Sequence, residues 1–241
     1  MGQAPPGMGI AEMKQVFIIH GWTYSLDKWT DICEQLKAGG IDPVLLKVPG
    51  LTEPSDKVWD IDGYVDWLDG ELRGVEAPVV IGHSNGGRIA LSYVQKHPGR
   101  IARLVLIDSA GLPHDEFIPR AKLRFLRSIA RAGKLFGRVP IVRRAFYRLI
   151  KASDYNNAPE NMKLTMRNML NADKLIDYSR ITLPVTIIWG RNDAITPLKD
   201  GRKLHGLLKG SELNIIDGAR HAPQATHTEA VAGLIIKAAG A

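Results

Sequence analysis

Cysteine is nearly missing from this chain: Cys33 is the single one in 241 residues, so no internal disulfide framework holds the fold and no thiolate metal site can form. No apolar run approaches membrane-spanning length. The first fifteen residues, Met1 to Gln15, lack the basic start and long apolar stretch of a signal peptide. Gly2, Pro5, Pro6, Gly7 and Gly9 make residues 1–15 an expected flexible tail. No glycine loop ends in G-K-[ST], so no phosphate cradle is expected. The histidines, His20, His83, His97, His114, His205, His221 and His227, show no paired ligand spacing, so neither a metal nor a cofactor is expected. What these absences leave is a soluble, cytoplasmic protein held by an ordinary core. Its 45% hydrophobic and 24% charged residues fit that class, and its length suits one α/β domain.

Acidic residues are scarce in one place. From Leu112 to Lys151 there are eleven Lys or Arg against Asp115 and Glu116, a segment charge of +9. The net charge of the whole chain is +7, so the remainder carries −2 and the basicity belongs to one segment.

Short apolar runs alternate with helical patterns. Val16–Ile19, Val44–Val48, Pro78–Ile81, Leu104–Ile107, Val185–Trp189 and Leu213–Ile216 read as six strands. Helical spacing covers Leu26–Leu36 (with Ser25 as N-cap), Ile61–Val75, Gly86–Lys96, a segment after Thr196-Pro197 to Leu208, and Thr228–Ala238. Continuous apolar strands between helices predict a doubly wound, mostly parallel α/β sheet of about six strands, covered on both faces. The rhythm breaks between Leu112 and Arg180, where only helical patterns occur. Residues 112–180 are therefore expected to form an inserted helical cap over the carboxyl ends of the strands, with residues 16–111 and 181–241 forming the core. Within the cap, Arg120, Arg124, Arg127, Arg131 and Lys134 form a basic stripe. Pro140 opens a second helix, and Pro159 suits the first position of a third that carries Met162, Met166 and Met169. These methionines suit either plain core or the lining of an acyl pocket.

The chemistry concentrates at Gly82-His83-Ser84-Asn85-Gly86, a G-x-S-x-G between a strand and a helix. A serine there sits on a strained turn that lifts its hydroxyl above the sheet. Flanking glycines let strand and helix close without a Cβ clash. The helix beginning beneath it favours developing negative charge. Two acidic residues follow strands, Asp193 in Trp189-Gly190-Arg191-Asn192-Asp193 and Asp108 in Asp108-Ser109-Ala110-Gly111, and His221 follows the last strand.

The order Ser84, Asp193, His221, with His20-Gly21 after the first strand, resembles the α/β-hydrolase superfamily of serine esterases and lipases with a helical cap. The resemblance runs from Val16 onward. It implies that Ser84 is the nucleophile, His221 the general base and Asp193 the residue that orients the base, with Asp108 the second choice of acid. It further implies an oxyanion hole from the main-chain N–H groups of Trp22 and Asn85. Two positions depart from the usual pattern. Thr23 stands where a glycine often follows the oxyanion residue, and Arg220 stands where a glycine often precedes the histidine; Arg220 is expected to face solvent. His83 is expected to pack rather than act as base, His227 to lie at the surface, and His20 to brace the oxyanion loop.

The activity this implies is cofactor-independent hydrolysis of carboxylic esters with short or medium acyl chains, through an acyl-enzyme on Ser84. C–C bond hydrolase, lactonase, perhydrolase and acyltransferase chemistry use similar residues, and a non-catalytic small-molecule-binding protein could share the scaffold. The expected partner is a small acyl ester. The basic cap is either a solvated face or a site for an anionic or lipid-like substrate or an acidic carrier protein. Nucleic acid is not expected, because the stripe has few interleaved aromatics beyond Phe125 and Tyr147.

Overall fold

A computed structural model describes residues 14–113 and 158–240. In chain order the elements are β1 (Lys14–Ile19), a 3-10 turn (Asp27–Trp29), α1 (Thr30–Ala38), β2 (Ile41–Leu45), α2 (Ile61–Glu71), β3 (Val79–His83), α3 (Asn85–Lys96) and β4 (Arg103–Ile107). After the undescribed stretch come α4 (Glu160–Ala172), 3-10 turns at Asp173–Leu175 and Tyr178–Arg180, β5 (Val185–Gly190), α5 (Leu198–Leu207), β6 (Glu212–Ile216), α6 (Pro223–Thr226) and α7 (Thr228–Ala239). The described strands form one six-stranded sheet in the order β2-β1-β3-β4-β5-β6, with every neighbouring pair parallel. This is the doubly wound α/β sheet that the strand runs predict.

The strands are apolar throughout because both faces of the sheet are covered. Phe17, Ile19, Val80, Leu104, Leu106, Ile187 and Trp189 pack on one face with Tyr64, Val65 and Leu68 of α2, Ile89 of α3 and Leu204 of α5. Val16, Ile18, Val79, Ile81, Val105, Ile107 and Ile188 pack on the other with Ile32 and Leu36 of α1 and Val231 and Ile235 of α7. Each such fully buried side chain contributes roughly 1.5–3 kcal/mol relative to exposure. Two fully buried aromatics keep a partner for their polar tips: Tyr64 Oη donates to the Pro49 carbonyl at 2.9 Å, and Trp189 Nε1 to that of Thr196 at 2.8 Å. The Asp60 side chain caps α2 by accepting from Gly63 N–H at 2.9 Å.

Three local expectations shift. The second strand is Ile41–Leu45 rather than Val44–Val48, and it includes Pro43 opposite Val16. A proline is tolerated there because β2 is an edge strand, so its missing N–H removes no bond to a second neighbour. The first strand starts at Lys14, inside the expected tail, and pairs with Ile41. Ser25 does not cap α1: its Oγ accepts from Asp27 N–H at 3.1 Å, and a 3-10 turn comes before α1 begins at Thr30.

The basic stripe from Arg120 to Lys134 and the helix expected at Pro140 lie outside the described residues. The third expected cap helix is α4, with Pro159 at its N-cap. Met162 and Met169 are buried in the main core cluster, which favours the plain packing reading for both. Among the described residues, no helix is long and apolar enough to cross a membrane.

Candidate active site

Three strand ends deliver the side chains that matter. β3 ends at His83, and Ser84 takes φ 52° and ψ −117° before α3 starts at Asn85. A left-handed φ on a non-glycine residue is strained, and the surroundings enforce it. Ser84 N–H donates to the Ile107 carbonyl of β4 at 3.0 Å, and the Ser84 carbonyl accepts from Gly87 and Ala110 N–H at 3.0 and 2.9 Å. Gly86 is obligatory, because a Cβ there would lie 2.1 Å from the Ile19 carbonyl oxygen. The turn can therefore be this sharp only if α3 presses against the end of β1.

His221 reaches Ser84 from the loop after β6. Its Nε2 lies 3.0 Å from Ser84 Oγ, and its Nδ1 lies 2.8 Å from Asp193 Oδ2. With Asp193 ionised, Nδ1 carries the proton and Nε2 is free to accept from the serine hydroxyl. Asp193 is 6% exposed and well supplied with donors. Its Oδ1 accepts from the N–H groups of Ile195 and Thr196 at 2.7 and 3.1 Å, and Thr196 Oγ1 lies 2.7 Å from its Oδ2. Burial alone would push this carboxyl up. The His221 hydrogen bond and charge, with those donors, outweigh burial and hold it below the usual carboxylate range. The acid loop is tied to the histidine loop by Asn192 N–H to the Ala219 carbonyl at 2.8 Å.

Asp108, the second-choice acid, has a different environment. It is fully buried at φ 41° and accepts from Gly190 N–H through Oδ1 at 2.8 Å. Its Oδ2 has no hydrogen-bond partner among the described residues. Burial, reinforced by the charge of Asp193 and opposed by the Gly190 bond, pushes its carboxyl up to about 8. At neutral pH Asp108 is a carboxylic acid rather than a carboxylate. Of these two carboxyls, Asp193 is the one that makes a hydrogen bond to the His221 ring.

The other histidines are placed by their bonds. His20, fully buried, donates from Nδ1 to the Gly21 carbonyl at 2.7 Å, so its Nε2 accepts from Thr52 Oγ1, also at 2.7 Å. Burial lowers its pKa, opposed by the Gly21 bond, so the ring is neutral and the loop that carries Trp22 is braced. His83 is neutral too: burial, then the adjacent His221, lowers its pKa to about 3. Its Nε2 donates to the His221 carbonyl at 2.8 Å. His227 is half-buried at the N-cap of α7, where Thr226 Oγ1 lies 2.9 Å from its Nδ1. Arg220 is exposed, as expected. Thr23, in place of a glycine, closes its own loop through Oγ1, which donates to the Ser25 carbonyl at 3.2 Å.

Metal-ligating atoms of His83, Asp108 and His221 lie within 4.8 Å of one another. Both ring nitrogens of His221, one of His83 and one oxygen of Asp108 are already committed to protein partners. What remains is one nitrogen and one oxygen, fewer than the three or four ligands of a zinc site.

Two residues of this site escaped the sequence reading. Arg88, 6% exposed, makes a bidentate ion pair with Asp173 (2.5 and 2.9 Å) and donates through Nη1 to Asn85 Oδ1 at 2.6 Å. An arginine on a buried helix was the available signal, because such a charge needs a paired acid.

Residues 16–234 match the alpha/beta hydrolase family. The chain belongs to that family. It is 29% identical to the pimeloyl-[acyl-carrier protein] methyl ester esterase of Neisseria meningitidis, over 92% of this chain and 91% of that protein. It is 28% identical to the protein of the same name from Chromobacterium violaceum, over 89% of each. The fold is shared with a monoacylglycerol lipase of Paleococcus ferrophilus, with a TM-score of 0.62, 21% identity and coverage of 94% of this chain and 95% of that one.

Proposed function

We propose that the protein is a serine esterase that cleaves carboxylic esters through an acyl-enzyme on Ser84. The observation that carries this reading is the unbroken contact from Ser84 Oγ to His221 Nε2 and from His221 Nδ1 to Asp193 Oδ2.

As Ser84 Oγ attacks the ester carbonyl carbon, its proton passes to His221 Nε2, and Asp193 stabilises the imidazolium. The carbonyl oxygen becomes an oxyanion facing the main-chain N–H groups of Trp22 and Asn85. Asn85 is the first residue of α3, so its N–H has no partner within the helix. Losing one such donor typically costs about 3 kcal/mol of barrier. Collapse of the tetrahedral intermediate breaks the C–O bond, and the alkoxide leaves with the proton from His221. Water then adds to the acyl-enzyme with His221 again as base, which releases the acid and restores Ser84.

The related proteins from Neisseria and Chromobacterium are named for a methyl ester borne on acyl-carrier protein. This chain carries eleven basic residues against two acidic ones between Leu112 and Lys151, the charge that an acidic carrier would need. A carrier-borne acyl ester is therefore the substrate class to test first, with free short or medium acyl esters as the comparison.

The test is hydrolysis of a chromogenic ester series from acetate to palmitate, together with a methyl ester presented free and on a carrier protein. Turnover lost in Ser84→Ala, with folding retained by circular dichroism, is the expected result. A carrier-bound ester preferred at low salt, with the preference falling as salt rises, would support the carrier. Turnover that survives Ser84→Ala would overturn the mechanism.

A further inference from the structure

The two residues that supply the proposed oxyanion N–H groups each carry a second, side-chain N–H without an acceptor. Trp22 Nε1 and Asn85 Nδ2 are both buried and have no hydrogen-bond partner among the described residues. Native folds contain few such groups, because a desolvated donor with nothing to bond is a costly defect.

The Asn85 amide cannot escape by turning over. Arg88 Nη1 lies 2.6 Å from it, and a guanidinium has donors only, so the facing atom must be Oδ1 and the NH2 group must point elsewhere. Arg88 is itself immobilised by two bonds to Asp173, just beyond the end of α4. The amide is therefore held in one orientation by a buried ion pair whose residues are 6% and 2% exposed. The indole of Trp22 also has only one polar role, as a donor. Within Asn85, the side-chain N–H and the main-chain N–H are only a few covalent bonds apart. One substrate is therefore long enough to reach both N–H groups of Asn85.

We propose that Trp22 Nε1 and Asn85 Nδ2 form a second polar subsite beside the oxyanion hole, which takes an oxygen acceptor of the substrate a few bonds from the scissile carbonyl. The substrate is then an oxygenated ester, with a keto, ether or carbonyl oxygen close to the reacting carbon, rather than a plain alkyl ester. This assignment rests on the esterase reading and narrows its substrate class. Its physical force lies in asymmetry. A site built around donors rejects the analogue lacking the acceptor far more strongly than an apolar pocket rejects an extra methylene.

The experiment uses two matched ester pairs, one exchanging a methylene for oxygen in the acyl chain and one in the alcohol. Each kcat/KM is divided by that ester's rate with hydroxide, to remove intrinsic reactivity. The expected result is a preference of about tenfold or more for the oxygenated member of at least one pair. Asn85→Asp keeps an acceptor for Arg88 but has no N–H, and Trp22→Phe keeps the ring packing but loses the indole donor. Each should bring the ratio towards unity, and Trp22→Phe serves if the added charge in Asn85→Asp disturbs folding. A ratio near unity in the wild type for both pairs, or one unmoved by both variants, would overturn the subsite. Ser84 inert both to every ester and to a fluorophosphonate probe would instead sink the esterase reading, a result distinct from cleavage without preference.

Discussion

His83 Nε2 donates to the main-chain carbonyl of His221 at 2.8 Å, so the residue before Ser84 holds the backbone of the proposed base. The ring is wedged in place. Trp29 meets it edge-on with centroids 5.9 Å apart, and a Cβ on Gly21 would lie 2.9 Å from its Nδ1. Nucleophile and base come from strands at different places in the sheet, and this bond fixes their relative position independently of the Ser84–His221 contact. Because burial keeps His83 neutral down to about pH 3, the bond is a neutral one throughout the working range.

His83 is therefore a positioning residue. His83→Phe keeps an aromatic body but loses the donor, and it should lower kcat by about 10- to 100-fold with little change in KM, since small misplacements of a reacting group are that costly. His83→Gln offers an amide N–H at similar reach and should recover much of the loss. Equal damage from both substitutions, or a change confined to KM, would mean that the ring serves packing alone.

The two buried carboxyls give a ranking that separates their roles. Asp193 holds the His221 ring at 2.8 Å, whereas Asp108 spends its bonded oxygen on Gly190 N–H. Asp193→Asn should reduce kcat by about 10⁴-fold, by favouring the wrong imidazole tautomer. Asp108→Asn should cost less than about tenfold, because the native group is already neutral at pH 7. Steady-state kinetics of both variants decides, and the reverse ranking would reassign the acid.

Much of this arrangement is legible in the sequence, for a physical reason. Parallel strands covered on both faces are apolar without interruption, so β1, β3, β4 and β5 stand out from their surroundings, and the residue just past each strand lies at the sheet's carboxyl edge. Ser84, Asp193 and His221 follow strands at that edge, and it is their order along the chain, which resembles the α/β-hydrolase triad, that singles them out. β2 was legible only in part, because an edge strand tolerates Asp42 and Pro43 in its middle. The Asn85–Arg88–Asp173 network was not legible at all. Its ion pair spans 85 positions of sequence, and no local periodicity reports which distant acid meets a buried arginine. His83 is a similar case: its neighbour to Ser84 is local, but its bond to the His221 carbonyl spans 138 positions.

Asp108 also sets a pH dependence of stability. In the fold its carboxyl is pushed from 3.8 up to about 8, first by burial and then by the charge of Asp193. Between those values the native state keeps a proton that the unfolded chain has released. Native stability is thus unimpaired by this group below about pH 4 and falls as pH rises through about 8. Asp108→Asn removes the titration while retaining an acceptor for Gly190 N–H, and asparagine tolerates the left-handed φ of 41° at least as well as aspartate. The variant should match the wild type near pH 4. Its advantage in unfolding free energy should then grow with pH and level off above about 8, reaching on the order of several kcal/mol at most, with Tm rising in step. Thermal melts from pH 4 to 9 check this. A Tm difference that stays constant across the range would mean that Asp108 is ionised in the fold and that its unbonded oxygen carries a charge.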